Sequence, residues 1–131
     1  MSYRVYISHS AKDSELAKDL ARRLEEAGVE TCAINDNDVA ESSESASKWR
    51  QMIRMFLLHA DEVIVLLTDN SADSPWVRYE MGMADGLDKR LTPVIVNEGV
   101  EQRVPMVGKH FVRYADLPKY ITSLKRRAKA A

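Results

Sequence analysis

Short apolar runs alternate along this chain with amphipathic stretches. Arg4-Val-Tyr-Ile7 reads as a first strand. Leu16, Ala17, Leu20, Ala21 and Leu24 follow at helical spacing, and Ala27-Gly28 supplies the stop. Val29 to Ile34 is a second short strand, weakened by its polar residues. Asn35 to Ser47 is rich in Asp, Asn and Ser, lacks periodicity and reads as a loop. Trp49, Met52, Ile53, Phe56, Leu57 and Ala60 restore helical spacing, and Trp49 is expected to pack this helix onto the sheet. Glu62-Val-Ile-Val-Leu-Leu67 is continuous in apolar character and is predicted to be a strand buried on both faces.

Ser74-Pro75 is a helix start, with a serine cap and a proline at the first helical position. Val77, Met81 and Ala84 lie on one side of that helix, and Trp76, Met83 and Leu87 on another. Leu91 to Val96 and Phe111 to Tyr114 are further strands, joined by an irregular connection from Asn97 to Lys109. Asp116 is expected to cap a last helix carrying Leu117, Tyr120, Ile121, Leu124 and Ala128. Its basic end, Lys125-Arg126-Arg127-Lys129, is expected to fray into solvent. Strands that alternate with helices around buried central strands form a parallel sheet covered on both faces. Five strands predict an α/β, flavodoxin-like sheet of order 2-1-3-4-5.

At 131 residues the chain is expected to form one domain, residues 1–131. The 45% apolar and 30% charged fractions are those of an ordinary globular protein, which argues against disorder. A net charge of −1 gives no general attraction for nucleic acid or anionic membrane. Apolar runs stay far below the ~20 residues of a membrane span. Met1-Ser-Tyr-Arg leads straight into a strand-like segment, so no signal peptide is expected. The single Cys32 suits a reducing compartment, so a cytoplasmic location is expected.

In such sheets ligands bind beyond the carboxyl ends of the strands where strand order reverses, here between the first and third strands. The flanking loops are then Ser8-His9-Ser10-Ala11-Lys12-Asp13 and Thr68 to Ser74, both rich in hydroxyls as a sugar-phosphate ligand needs. Several tenants of the fold are excluded. A phosphoacceptor receiver needs acidic residues after the first strand, where Ser8, His9 and Ser10 stand. No glycine-rich phosphate loop is present. One Cys and three scattered His, at 9, 59 and 110, give no zinc spacing. A Ser-His-Asp site lacks its G-x-S-x-G elbow.

The helix from Ser74 carries the candidate chemistry. Trp76 and Glu80 are four residues apart and share a face, which Met83, Ala84 and Leu87 continue. A carboxyl in that setting is partly desolvated and its pKa should rise. The plain alternative is a surface ion pair with Arg78, Arg54 or Lys89.

Tyr6-Ile-Ser-His-Ser-Ala-Lys-Asp13, Leu66-Leu-Thr68, the Trp49-Arg-Gln-Met-Ile53 helix and Ser74-Pro-Trp-Val-Arg-Tyr-Glu80 together resemble a TIR domain of bacterial type, from Tyr3 to about Val96. The resemblance implies an enzyme that cleaves NAD+ between nicotinamide and ribose, or cyclises the product. NAD+ would be its substrate, with no further cofactor and no metal. It places the essential glutamate at Glu80 and makes Trp76 a wall of the ribose or nicotinamide pocket. His9 and Ser10 fall in the loop that lies along the substrate in the family, and Asp38 resembles the acidic residue after the second strand. His9 is otherwise a solvated residue of an exposed loop, Ser74 otherwise only a helix cap, and Ser10-x-x-Asp13 also fits a capping box.

The chain departs from the family after the second strand. Asn37 stands near the usual tryptophan and Ala46 near the usual glycine, and Ser42-Ser-Glu-Ser-Ala-Ser47 makes the loop longer and more polar. In the family this loop mediates self-association. The implied partners are therefore NAD+ and other TIR domains, in self-assembly or in trans, with roles such as signalling or antiphage defence. A non-catalytic TIR interaction module and a nucleoside transferase are the competing readings.

Overall fold

The computed structural model describes residues 2–107 and 110–131. Five parallel strands, β1 (Arg4–Ser8), β2 (Glu30–Cys32), β3 (Glu62–Leu67), β4 (Arg90–Ile95) and β5 (Val112–Arg113), form one sheet in the order β2-β1-β3-β4-β5. The order is the one the alternation predicts. The helices are α1 (Ser14–Glu26), α2 (Asp36–Ala40), α3 (Ala46–His59), α4 (Pro75–Gly86) and α5 (Leu117–Ala130).

All six residues of β3 are buried, as its continuous apolar run requires. Strand alternation divides them between two cores. Val63, Val65 and Leu67 join Tyr6 with Ile53 and Leu57 of α3 and Val77, Met81 and Ala84 of α4. Ile64 and Leu66 join Val5 and Ile7 with Leu20 and Leu24 of α1 and Leu117 and Leu124 of α5. Tyr6 and Ser8, two residues apart, thus face α4, whereas Glu62 faces α5. That parity decides which side chains can meet at each end of the sheet.

Four expectations need correction. Asn35 to Ser47 is not all loop: α2 lies within it, held by a capping box in which Asn35 accepts from the Asp38 amide and Asp38 accepts from that of Asn35. A helix of five residues is too short to show an apolar period. The helix of Trp49 also starts earlier than expected, at Ala46 within the stretch read as loop, because Ser45 caps it. Asp116 stands at the N-cap of α5 but its side chain makes no capping bond, since a 3-10 turn from Tyr114 to Asp116 runs straight into the helix. The basic end does not fray: α5 continues to Ala130, and Arg127 bonds the buried Glu62.

Between β4 and β5 the chain forms two 3-10 turns, Val100–Arg103 and Pro105–Val107, and Val100, Val104 and Val107 are buried in the α4-side core. Gly99 opens the first turn at φ +82°, a left-handed conformation that favours glycine. Gly108 and Lys109, the end of the expected irregular connection, lie outside the described residues. No helix among the described residues is long and apolar enough to cross a membrane.

Candidate active site

The site is built at the carboxyl ends of β1 and β3, where β1 has β2 on one side and β3 on the other. The loops leaving these strands are tied together. Asp13, buried, accepts from the Thr68 hydroxyl at 2.6 Å and from the Asn70 side-chain amide at 2.8 Å. Thr68 Oγ1 in turn accepts from the Ser71 backbone amide at 3.1 Å, and the Ser71 hydroxyl donates to the Leu66 carbonyl at 2.8 Å. Ser10 accepts from the Lys12 amide rather than that of Asp13, so the expected capping box is absent and Asp13 is a cross-loop clamp. Asp13→Ala orphans a buried hydroxyl and is expected to cost about 1–3 kcal/mol, read as a lower urea midpoint at unchanged slope.

On the other side of the crevice stands α4. The Ser74 hydroxyl accepts from the Val77 amide at 3.3 Å, and Pro75 occupies the first turn. Trp76 and Glu80 follow on one face. Glu80 is completely buried. Its Oε1 accepts from the Ser8 hydroxyl at 2.8 Å, and its Oε2 accepts from the Tyr6 hydroxyl. The Trp76 indole N–H donates to the Ile34 carbonyl at 3.1 Å, and the Tyr6 hydroxyl lies 3.5 Å from that same oxygen. Three parts of the fold therefore converge: β1, α4 and the segment that follows β2.

The surface ion pair offered as the plain alternative is not formed. Arg78 spends its guanidinium on the Ala72 carbonyl at 2.7 Å, and Lys89 donates to the carbonyls of Leu58 and Ala60. Arg54 is exposed on α3. No salt bridge to Glu80 occurs among the described residues. Burial accordingly pushes the Glu80 carboxyl up to about 8; the Tyr6 and Ser8 hydrogen bonds oppose that rise and the Asp36 charge adds to it. Burial, and then the Glu80 charge, push the Tyr6 phenol far above its usual range.

His9 is not on an exposed loop. It is buried, and its Nδ1 lies 3.2 Å from the Ile7 carbonyl. A carbonyl only accepts, so Nδ1 carries the proton and Nε2 is an acceptor. Burial lowers its pKa. His9, Lys18, Cys32, Asn35 and Asp38 line a cavity of about 260 Å³ on the α1 side of the sheet. Asp38 is exposed and its Oδ2 accepts from the Asn35 amide. Trp49 is half-buried against the α4-side core, as expected.

The structure thus brings Trp76 and Glu80 together, and separately His9 and Asp38. Ser10 and Ser74 serve as caps at the two loop ends. None of the four cavities described has Glu80 in its wall. Tyr6, Ser8 and Ile34 were not singled out by sequence reasoning. The available signal was two hydroxyl-bearing residues at i and i+2 near the carboxyl end of β1, which alternation puts on one face. Among the described residues no cluster of three His, Cys, Asp or Glu could hold a metal ion. The arrangement offers the chemistry of one enclosed carboxyl: steadying a cation when ionised, or giving up a proton when neutral.

A family model described as TIR domain matches residues 5–128. A protein of Cytobacillus dafuensis, TIR2, whose name assigns it cyclic ADP-D-ribose synthesis, is 25% identical over 101 residues. The match covers 76% of this chain and 27% of that protein, so the chain spans about a quarter of this relative's length. The TIR domain of the Toll-related receptor TRR-2 of Hydra magnipapillata superposes with a TM-score of 0.67 at 15% identity, over 98% of this chain and 99% of that one. The Clostridium botulinum CMP N-glycosidase BcmB gives a TM-score of 0.61 at 20% identity, over 95% and 98%. At such identities the two solved structures show a shared fold.

Proposed function

We propose, from the premise that this chain belongs to the TIR domain family, that it cleaves NAD+ between nicotinamide and ribose, releasing nicotinamide with ADP-ribose or a cyclic form of it. The observation that carries this reading is Glu80, an enclosed carboxyl without a cationic partner among the described residues, one helical turn from Trp76. Cleavage sends the C1′–N electron pair to the pyridinium nitrogen, so nicotinamide leaves neutral and needs no proton. The ribose carbon is left oxocarbenium-like. One ionised carboxylate in a water-poor site steadies it, by charge or by holding its hydroxyls. Water then adds at C1′ and loses a proton, or a nucleophile of the same molecule closes a ring.

Trp76 forms a wall of the ribose or nicotinamide pocket. The acceptor Nε2 of His9 and the Asp38 carboxylate receive sugar hydroxyls. Ser10 and Ser74, whose oxygens accept backbone N–H groups, keep O–H donors for the phosphates. Activity depends on self-association. Glu80 has no exposed surface in the single chain, and the Ile34 carbonyl that fixes Trp76 lies between β2 and α2. A neighbouring TIR domain that draws this segment aside opens the carboxyl to substrate. The name of the Cytobacillus dafuensis relative supports the substrate class.

The test is a chromatographic profile of NAD+ incubated with rising concentrations of protein. Nicotinamide release whose rate per chain climbs with concentration is the expected result. An NAD+ peak that stays intact at every concentration, while partner TIR domains are still retained in pull-down, leaves the non-catalytic module.

One observation favours a second reading. A carboxyl titrating near 8 holds its proton at neutral pH, and the fold is shared with an N-glycosidase of CMP. Cytosine, an uncharged base on its ribose unlike the pyridinium of NAD+, is a poor leaving group and is helped by a proton donor. The two readings give opposite pH dependence. NAD+ cleavage by ionised Glu80 rises with pH through about 8, whereas CMP cleavage by protonated Glu80 falls over the same interval. Initial rates on both substrates from pH 6 to 9 separate them.

A further inference from the structure

We propose that Tyr6 is a positioning residue for Glu80: its phenol, fixed by the core, holds one carboxyl oxygen in place while Ser8 holds the other. The role in catalysis rests on the NAD+-cleaving reading of the same site; the contact itself rests on geometry alone. Tyr6 is fully buried on β1, a strand paired on both sides, and packs in the same core as Ile53, Leu57, Val63 and Val65. Its oxygen lies at the end of a rigid ring, so its place is set by packing. The Ser8 hydroxyl, by contrast, can rotate on its own Cβ. Without the phenol, Oε2 would lose the hydroxyl that donates to it and the carboxyl plane would be freer to turn.

The Tyr6 hydroxyl also has a second acceptor, the Ile34 carbonyl at 3.5 Å. It therefore fits Glu80 in both protonation states. Toward the carboxylate it donates. When the carboxyl carries the proton, its O–H donates to the phenol oxygen and the phenol hydrogen turns to the Ile34 carbonyl. The groups facing Glu80 are Tyr6 and Ser8 from β1, Trp76 on its own helix, the Cys32 thiol on β2 and the Asp36 carboxylate on α2. Asp36 repels, and Trp76, whose N–H donates to Ile34, favours the ionised form less than the Tyr6 and Ser8 hydroxyls do, Tyr6 most of all.

Tyr6→Phe keeps the ring and removes the hydroxyl. Because charged hydrogen bonds are the stronger kind, the ionised form loses more than the neutral one. The Glu80 titration is expected to rise by about one pH unit, read by carbon-13 NMR of the side-chain carboxyl and assigned by its loss in Glu80→Gln. The alkaline rise of NAD+ turnover shifts by the same amount, and kcat falls about ten- to a hundredfold with KM little changed. Site-specific 3-fluorotyrosine at position 6, a more acidic phenol, moves both titrations the other way. It keeps the contact and the fold, so the test stands even where Tyr6→Phe does not fold. Unshifted carboxyl titrations in a folded Tyr6→Phe protein, or in the fluorinated one, overturn the inference. A wild-type chain that never consumes NAD+ overturns the proposed function instead, while the NMR titration still decides the contact with Tyr6.

Discussion

Glu80→Gln is expected to lower NAD+ turnover by about a hundredfold to a thousandfold while giving a protein more stable than its parent at pH 8. The first effect follows from charge. The amide matches the carboxyl in shape, and its oxygen and NH2 can still meet the Tyr6 and Ser8 hydroxyls, but it cannot steady a developing cation. The second follows from the proton. The folded carboxyl titrates near 8 against an ordinary 4.5, because burial disfavours its charge. Between those values the folded state keeps a proton that the unfolded chain releases, so stability falls as pH rises through the interval, by up to about 1.4 kcal/mol per unit. Below it both states are protonated and the contribution is fully present. The glutamine variant has no such titration, so its urea midpoint changes less between pH 5 and pH 8. Loss of turnover together with a flattened pH dependence separates a chemical role from a damaged fold. Undiminished turnover removes Glu80 from the reaction, and an unflattened stability profile removes the buried proton.

Most of the fold was legible in the chain because it is written in signals of adequate length. The six-residue run of β3, the serine and proline before α4 and the glycine after α1 each act locally, and each stands where the pattern put it. What escaped were features decided by polar partners far away in sequence. Asp13 looks like a cap but reaches across to Thr68, 55 residues on. His9 looks exposed because its loop is polar, yet the Ile7 carbonyl and the α1 side enclose it. The same holds at the candidate site. Helical spacing puts Glu80 beside Trp76, and the lipophilic neighbours announce desolvation. Nothing within α4 reveals that Tyr6 and Ser8, more than 70 residues earlier, supply the hydroxyls. That pairing depends on β1 lying next to β3 with its even-numbered residues turned to α4.

Arg127→Ala is expected to destabilise the fold by about 2–4 kcal/mol, although Arg127 stands in a run that reads as a solvated basic tail. Glu62 at the start of β3 is completely buried and accepts from Tyr3 at 2.8 Å, from Thr92 at 2.8 Å, from Tyr120, and from Arg127 at 2.5 Å. Burial first, with the Glu62 carboxyl adding, holds the Tyr3 phenol up to about 12 and raises that of Tyr120 as well, so both remain donors. The guanidinium is the cationic member of this set, and its side chain keeps 34% exposure, which tempers the loss. Removing it leaves a buried carboxylate with hydroxyl donors alone. Arg126→Ala, on the exposed side of the same turn, should stay within about 0.5 kcal/mol of the parent. Glu62→Gln introduced into Arg127→Ala should recover part of the loss, because the stranded charge goes with it. Equal stabilities for the two arginine variants, or strict additivity in the double variant, would sink this account. The contrast with Glu80 is the physical point: both acids are enclosed and both accept from phenols, but only Glu62 has a guanidinium. The paired acid fastens α5 to the sheet, and Glu80, with no cationic partner among the described residues, is left with a proton that moves near neutral pH.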